Sequence, residues 1–474
     1  MAVYKGPMSD KKKIYKPSPV SGFPEWLPEV RIVEQQWLDH IRKVFESYGF
    51  CSIETPAVEE LNVIGAKGED VDKEIYVIER LHKDENDTKE ARLALHFDQT
   101  VPFARYAAQH FNDLVFPFKR YQMQKVWRGE RPQAGRMREF YQCDIDVINP
   151  DNLPIAFDAE MPAIIWEVLS SLPCYNPETK KNVPLKELEN IQIRVSNRKI
   201  LTGYIETLGI QSEEMKAIIF RTIDKLTKEH LSPLIVGMHE ALKECNEDPS
   251  IDTEQLTDSI MEFIKIAKNK FTNADEFEDA LKFNSEINTS NETLQKGIEE
   301  LSAVLDNLSH LPEGAVVADL SIVRGLDYYT GTVYETVFTE DPTYGSICSG
   351  GRYDDLAGSY INKHLPGVGI SIGFSRLFDR LRTQGKLPVS RKCPTDVLII
   401  PPRDEADLPK MKDIETTLRG RGINVEIAHG KKMNKQMAYA EKKGIPYVWF
   451  PEDDQVKDMR TGEQSPADPH SWNK

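Results

Sequence analysis

At 474 residues the chain exceeds the usual size of one domain, so two or three domains are expected, each able to bury a core of its own. Hydrophobic residues at 40%, charged residues at 29% and aromatics at 9% are the proportions of a globular protein and exclude a disordered or fibrous chain. No stretch approaches the roughly 18 apolar residues of a membrane span, and Lys11-Lys12-Lys13 stands where a secretory signal would carry its apolar core, so no membrane is expected and the cytoplasm is the default, with a mitochondrial pool left open.

From Glu25 to Tyr48 the apolar residues Val30, Val33, Trp37, Ile41, Val44, Phe45 and Tyr48 recur at spacings of three and four, which predicts a long amphipathic helix ended by Gly49. Phe50 to Thr55 follows as a short strand stopped by Pro56. Phe118 to Val147 predicts an antiparallel hairpin around a Pro- and Gly-containing loop, Gly129 to Gly135. Pro184 to Leu311 is charged, mostly helical in period and poor in Gly and Pro, and is expected to be a helical insertion (184–311) within a domain made of 1–183 and 312–388. Strand-like sequence returns at Ala315 to Phe338 and at Gly367 to Gly373, with a helix beginning near Ser375. After a linker at Gly385 to Pro394, Asp396–Ile400, Glu405–Arg419, Ile423–Ala428, Met433–Lys443 and Tyr447–Phe450 alternate as strand, helix, strand, helix, strand. That order predicts a small α/β domain, 391–474, with a largely parallel sheet.

The formal charge of −16 is awkward for nucleic-acid binding until its distribution is considered. Lys119, Arg120, Lys125, Arg128, Arg131, Arg136 and Arg138 form a local cationic strip with one acid, Glu130, among them. Residues 391–474 carry 15 basic and 14 acidic side chains, a net of +1, and so stand apart electrostatically from the acidic remainder. The six cysteines, Cys51, Cys143, Cys174, Cys245, Cys348 and Cys393, are scattered without a C-x-x-C pair, which suggests neither a disulfide framework nor a zinc site.

Four segments have the residue types that chemistry needs. In the second strand of the hairpin, alternation places Phe140, Gln142, Asp144 and Asp146 on one face and Tyr141, Cys143, Ile145 and Val147 on the other. Arginines beside such acceptors suit a site holding phosphate together with an ammonium or imidazole group, although on charge alone an exposed, solvated hairpin is the commoner reading. Ile322 to Val333 sets Arg324 among apolar residues in an expected strand, where an unpaired guanidinium must face solvent or an anion. On the same strand Tyr328 and Tyr329 would point to opposite faces, one to pack and one to offer a hydroxyl, and two core aromatics are the plainer alternative. Gly350-Gly351 permits a close backbone approach beside Arg352 and Tyr353, or is a simple turn. Gly367, Gly369, Ser371 and Gly373 leave one strand face bare, room for a flat ring such as a purine or for tight strand-helix packing, with Arg376 in the following first helical turn.

Together these segments resemble the histidyl-tRNA synthetase family, in the right order along nearly the whole chain. Arg128-Gly-Glu-Arg-Pro-Gln-Ala-Gly-Arg-Met-Arg-Glu-Phe-Tyr-Gln142 is similar to motif 2 of class II synthetases in its histidyl form. Arg324-Gly-Leu-Asp-Tyr-Tyr329 and Gly350-Gly-Arg-Tyr-Asp354 are similar to the two histidine-specific signatures, and Gly367 to Leu377 to motif 3. The resemblance implies an α/β fold class: an α+β catalytic domain on an antiparallel sheet, a helical insertion and an anticodon-binding α/β domain. It implies a homodimer that uses ATP with Mg²⁺, no metal being fixed by the protein alone, to join L-histidine to tRNA(His).

By the same resemblance Arg324 and Arg128 are catalytic, near the α-phosphate and the histidine carboxylate. Glu130, Arg136, Gly369 and Arg376 join Arg128 in binding ATP. Asp98, Thr100 and Gln142 receive the α-ammonium, and Asp146 and Tyr329 hold the imidazole, with Tyr353 nearby. The sequence departs from the commoner pattern at Asp146, where bacterial members often carry Glu, and at His96 and Gln99 in Leu95–Thr100. The rival readings are a synthetase-like regulatory protein, a different class II synthetase, and a generic RNA-binding protein.

Overall fold

The structure is a computed structural model, and it describes residues 15–64, 73–81, 92–133, 135–225, 231–246, 248–283, 291–323, 328–355, 357–358, 360–430 and 432–474. The first helix, α1 (Pro28–Ser47), starts three residues later than its periodicity suggests. Pro28 fits the first helical turn, where no backbone donor is missed, and the proline ring holds Leu27 extended at ψ 156°, so Glu25–Leu27 stay outside the helix. Its buried face carries Val33, Trp37, Ile41, Val44 and Phe45.

Strand β1 (Cys51–Ser52) is followed by a small three-stranded sheet of β2 (Val58–Glu60), β3 (Val77–Ile78) and β4 (Leu93–Leu95). Helix α2 (Leu61–Ile64) is a single turn, and α3 (Thr100–Gln109) leads into β5 (Phe118–Trp127) and β6 (Glu139–Ile148). The last two are the expected hairpin, paired antiparallel over ten residues from Phe118↔Ile148 to Trp127↔Glu139. After α4 (Ala156–Ser171) come the pair β7 (Pro173–Asn176) and β8 (Lys181–Pro184), then β9 (Ile191–Asn197).

Here the structure corrects the expected helical stretch, which starts at Arg198 rather than Pro184. Ile191, Ile193 and Val195 alternate with polar residues and place β9 inside the large sheet. Helices α5 (Arg198–Thr207), α6 (Glu213–Lys225), α7 (Leu231–Cys245), α8 (Thr253–Ala267), α9 (Ala274–Phe283) and α10 (Glu292–Asn307) follow. An isolated antiparallel bridge, Phe271↔Ala318, ties this helical region to β10 (Val316–Ala318).

Strands β11 (Thr332–Phe338), β12 (Cys348–Tyr353) and β13 (Gly367–Ile372) complete an eight-stranded sheet of order β1-β5-β6-β13-β12-β11-β9-β10. Its interior pairs are antiparallel and its two outermost pairs, β1 with β5 and β9 with β10, are parallel. A second correction falls on Ile322–Val333: among the described residues only Thr332 and Val333 of that segment are strand, so Tyr328 and Tyr329 precede β11 rather than sharing it. Apolar residues of one sheet face, among them Cys143, Ile145 and Val147 of β6, pack with α1 and α4 in one core.

Beyond α11 (Phe374–Thr383), the remaining strands are β14 (Val397–Ile399), β15 (Val425–Ile427), β16 (Tyr447–Phe450), β17 (Gln455–Asp458) and β18 (Gln464–Pro466), with α12 (Leu408–Gly420) and α13 (Met433–Lys443) between the first three. They form a separate sheet, β15-β14-β16-β17-β18. The expected parallel strand-helix alternation is present, and β17 and β18 add an antiparallel extension that the sequence pattern did not suggest.

Candidate active site

The polar face of β6 opens onto two adjoining cavities. The smaller, about 270 Å³, is lined by Thr100, Asp144, Asp146, Tyr328, Tyr329 and Tyr353, with a floor of Gly350, Gly351, Gly369 and Ser371. The larger, about 1120 Å³, is lined by Glu74, Arg128, Glu130, Arg136, Gln142 and Arg376, with Phe140 and Ser371. Both open to solvent, and the larger has about four times the space of the smaller.

Cross-strand register explains the smaller cavity. Arg120, Gln122 and Gln124 alternate on β5 and lie opposite Asp146, Asp144 and Gln142 of β6. Arg120 is fully buried, with its guanidinium 2.5 Å from Asp146 Oδ2 and 4.3 Å from the centre of the Phe103 ring. The Tyr353 hydroxyl donates to Asp146 Oδ1 at 3.0 Å. Burial pushes the Asp146 carboxyl up to about 6, while Arg120 and the tyrosine hydrogen bond pull it down and Asp98 adds to the rise.

The glycines make room for these side chains. A Cβ on Gly369 would fall 2.0 Å from Asp146 Oδ1, one on Gly367 would fall 2.3 Å from the Tyr353 ring, and one on Gly351 would fall 2.8 Å from the Tyr329 ring. At Gly367 and Gly369 the bare face of β13 is therefore occupied by the protein's own phenol and carboxylate, and Gly369 borders the smaller cavity rather than the larger one expected for ATP, whereas Ser371 and Gly373 do line the larger one. The rings of Tyr328 and Tyr329 meet edge to face at 5.2 Å, and both line the smaller cavity, so Tyr328 is not confined to packing behind it.

In the larger cavity Arg128 lies over Phe97 at 4.4 Å and over Phe140 at 5.2 Å, and its Nε donates to the Phe97 carbonyl at 3.4 Å. Arg136 pairs with Glu130 at 3.0 Å. Arg376, in the first turn of α11, donates to the Tyr344 carbonyl and lies over that ring at 4.9 Å. Gln142 donates to Ser371 Oγ at 3.0 Å.

Asp98 Oδ1 accepts from the backbone N–H groups of Thr100 and Val101 at 3.1 and 3.3 Å and so caps α3. Thr100 reaches the smaller cavity, whereas Asp98 is not among the residues lining it. The unusual neighbours of Asp98 hold this turn in place. Gln99 is buried and donates to the carbonyls of Gln124 and Gln142 at 3.1 and 3.0 Å, and His96 Nε2 lies 2.7 Å from the Lys125 carbonyl with its ring against Trp127.

Among the expected residues, Arg324 lies outside the described residues. Arg352 does not stand beside the ligand space: it is buried on the opposite face of the sheet and paired with Asp158 at 2.5 Å. Strand alternation sends Tyr353 one way and Arg352 the other. The sequence names Arg120, Asp144 and Ser371 only as members of a cationic strip, a polar face and a bare face, without a partner for any of them, and Glu74 not at all. The signal for Arg120 was the alternation Arg120-x-Gln122-x-Gln124, which in a hairpin must face Asp146, Asp144 and Gln142.

A family model described as Histidyl-tRNA synthetase matches residues 22–377, and one described as Anticodon binding domain matches 396–464. The chain belongs to the histidyl-tRNA synthetase family. A curated relative named Histidine--tRNA ligase, from Thermobifida fusca, is 50% identical over 98% of this chain and 99% of its own length. The crystal structure of histidyl-tRNA synthetase from Nostoc sp. PCC 7120 superposes with a TM-score of 0.77 at 37% identity, covering 96% of this chain and 97% of that one. An ATP phosphoribosyltransferase regulatory subunit/histidyl-tRNA synthetase from Bacillus halodurans C, at 19% identity and a TM-score of 0.67 over 92% and 99% of the two chains, shares the fold. Membership fixes the class as a class II aminoacyl-tRNA synthetase. No described helix is long and apolar enough to cross a membrane.

Proposed function

We propose that this chain is a histidine–tRNA ligase that activates L-histidine with ATP and passes it to the 3′ end of tRNA(His). The observation that carries this reading is Asp146, fixed between Arg120 and Tyr353 on the wall of a small polar cavity that adjoins a larger, arginine-lined one. A carboxylate has acceptor sites beyond the two that Arg120 and Tyr353 fill, and a ring N–H in the cavity is a donor that suits them. Asp146 and Tyr329 take the imidazole, with Tyr353 orienting Asp146, and Thr100 and Gln142 take the α-ammonium with Asp98 supporting them.

In the first step a carboxylate oxygen of histidine attacks the α-phosphorus of ATP and pyrophosphate leaves. Arg128, whose charge persists despite burial, stabilises the negative charge that builds on the phosphoryl oxygens, and Arg324 is assigned to the same atoms. Arg376 holds the γ-phosphate, and Glu130 and Arg136 edge the nucleotide. The Glu74 carboxylate in that cavity would be a hard donor to Mg²⁺ brought by ATP, which would supply positive charge at the phosphates. In the second step a terminal ribose hydroxyl of tRNA attacks the acyl carbon and AMP leaves. Residues 391–474 read the anticodon, the helical stretch that starts at Arg198 forms the insertion within the catalytic domain, whose sheet includes β9, and the enzyme acts as a homodimer in the cytoplasm.

Histidine-dependent exchange of pyrophosphate into ATP tests the reading, and exchange stimulated equally by any amino acid, or by none, overturns it. Arg324→Ala should abolish exchange while leaving ATP binding near normal.

A further inference from the structure

Between Gln142 and Asp146, on the same face of β6, lies Asp144, to which the family resemblance gives no task. It is 5% exposed and sits opposite Gln122 of β5 and Ser371 of β13. The Ser371 hydroxyl accepts from Gln142 at 3.0 Å and lies opposite Asp144, whose carboxyl it pulls down. Asp144 Oδ1 has no hydrogen-bond partner among the described residues, and Asp144 lines the smaller cavity. A buried carboxylate oxygen left unpaired is costly, and a bound donor relieves that cost.

The charges around it favour a cation. Among the described residues, the groups that act on Asp144 are the carboxylates Asp98 and Asp146, the guanidiniums Arg120 and Arg128, the Tyr329 phenol and the Cys143 thiol. Arg120 is already held by Asp146 at 2.5 Å. Three carboxylates thus face two guanidiniums.

We propose that Asp144 Oδ1 is a further binding group for the α-ammonium of the substrate amino acid, so that Asp146 grips the ring and Asp144, beside Ser371, joins Thr100 and Gln142 on the ammonium. This rests on the histidine-activating reading above. Burial pushes the Asp144 carboxyl up to about 7, reinforced by Asp146 and Asp98 and opposed by Arg120 and Ser371. Near neutral pH the empty site therefore carries a proton on a fraction of molecules, and an arriving ammonium expels it.

The test uses the full chain. Asp144→Asn, which keeps the shape, should raise the KM for histidine in pyrophosphate exchange about tenfold to a hundredfold, with the KM for ATP unchanged. The same change should narrow the preference for histidine over 3-(imidazolyl)propanoate, which lacks the ammonium, measured as competitive inhibition. A wild-type KM for histidine in D144N, or equal losses of histidine and of the desamino analogue, overturns the proposal. Calorimetry on the wild-type protein needs no variant: histidine binding at pH 7 in two buffers of different ionisation enthalpy should show net proton release, and none, or net uptake, overturns it. Absence of histidine-dependent exchange in the wild type would instead sink the parent reading.

Discussion

Two buried arginine–aspartate pairs cross the large sheet, one on each face, and they are built differently. Arg352 on β12 gives its Nε to both oxygens of Asp158, at 3.0 and 3.1 Å, and its Nη2 to Asp158 at 2.5 Å and to the Leu153 carbonyl at 3.0 Å. Arg120 on β5 makes one close approach to Asp146 and leaves Nε and Nη1 without hydrogen-bond partners among the described residues. A buried pair repays its desolvation only when the remaining donors are satisfied. The Arg352 pair meets that condition by itself and anchors α4 to the sheet. The Arg120 pair does not, and its carboxylate, Asp146, lines the smaller cavity, where a ligand's donor can reach it.

The largest effect expected from this contrast is on stability at the saturated pair. Asp158→Ala strands a buried guanidinium and should cost about 3–5 kcal/mol in urea unfolding, while the KM for histidine of whatever folds stays near wild type. Asp146→Asn should weight the two effects the other way: kcat/KM for histidine falls about a hundredfold in pyrophosphate exchange and the KM for ATP holds, while the amide oxygen still accepts from Arg120 and the stability loss is smaller than in Asp158→Ala. Equal losses of histidine and ATP affinity in that variant would erase the distinction between the two pairs. Gly369→Ala forces a methyl against Asp146 Oδ1 and should cost about 1–3 kcal/mol together with part of the histidine affinity.

The smallest effect is a pH dependence. Asp144 and Asp146 have folded values pushed up to about 7 and about 6, above those of the unfolded chain, so the folded protein keeps protons that the unfolded chain has released. Their contribution to stability is complete below about pH 4 and is lost as the pH rises to about 7. The stability of Asp144→Asn relative to wild type should therefore be greatest near pH 8 and shrink as the pH falls to 5, measured as the difference in Tm, and a gap that widens on acidification would reverse the sign. Activity runs the other way, because kcat/KM for histidine should fall as the pH drops through about 6 and Asp146 gains a proton.

Much of the frame was legible because it depends on local pattern. The apolar and polar faces of β6 follow from alternation alone, and the strand-helix order after Asp396 follows from period and punctuation. What was not legible depends on pairing. In isolation Arg120 belongs to a cationic strip that looks solvated, and only its register opposite Asp146 turns it into a buried group. The same holds for Asp144, whose serine partner lies 227 positions further along at Ser371. Strand β9 was hidden inside a charged, helix-rich stretch because seven residues of alternation carry little weight beside a hundred of helical period. Tyr328 and Tyr329 were assigned opposite faces on the assumption of a strand, and the backbone before β11 does not have that geometry.

The bridge between Phe271 and Ala318 has a consequence for the protein's behaviour at high concentration. A sheet of eight strands has two margins at which another chain could add a strand, and exposed margins seed aggregation. On one side, β10 spans only Val316–Ala318, and the helical region contributes Phe271, whose N–H and carbonyl both pair with Ala318 at 3.2 and 2.8 Å. On the other, β1 offers two residues, Cys51 and Ser52. Both margins of this sheet are thus too short to template a foreign strand.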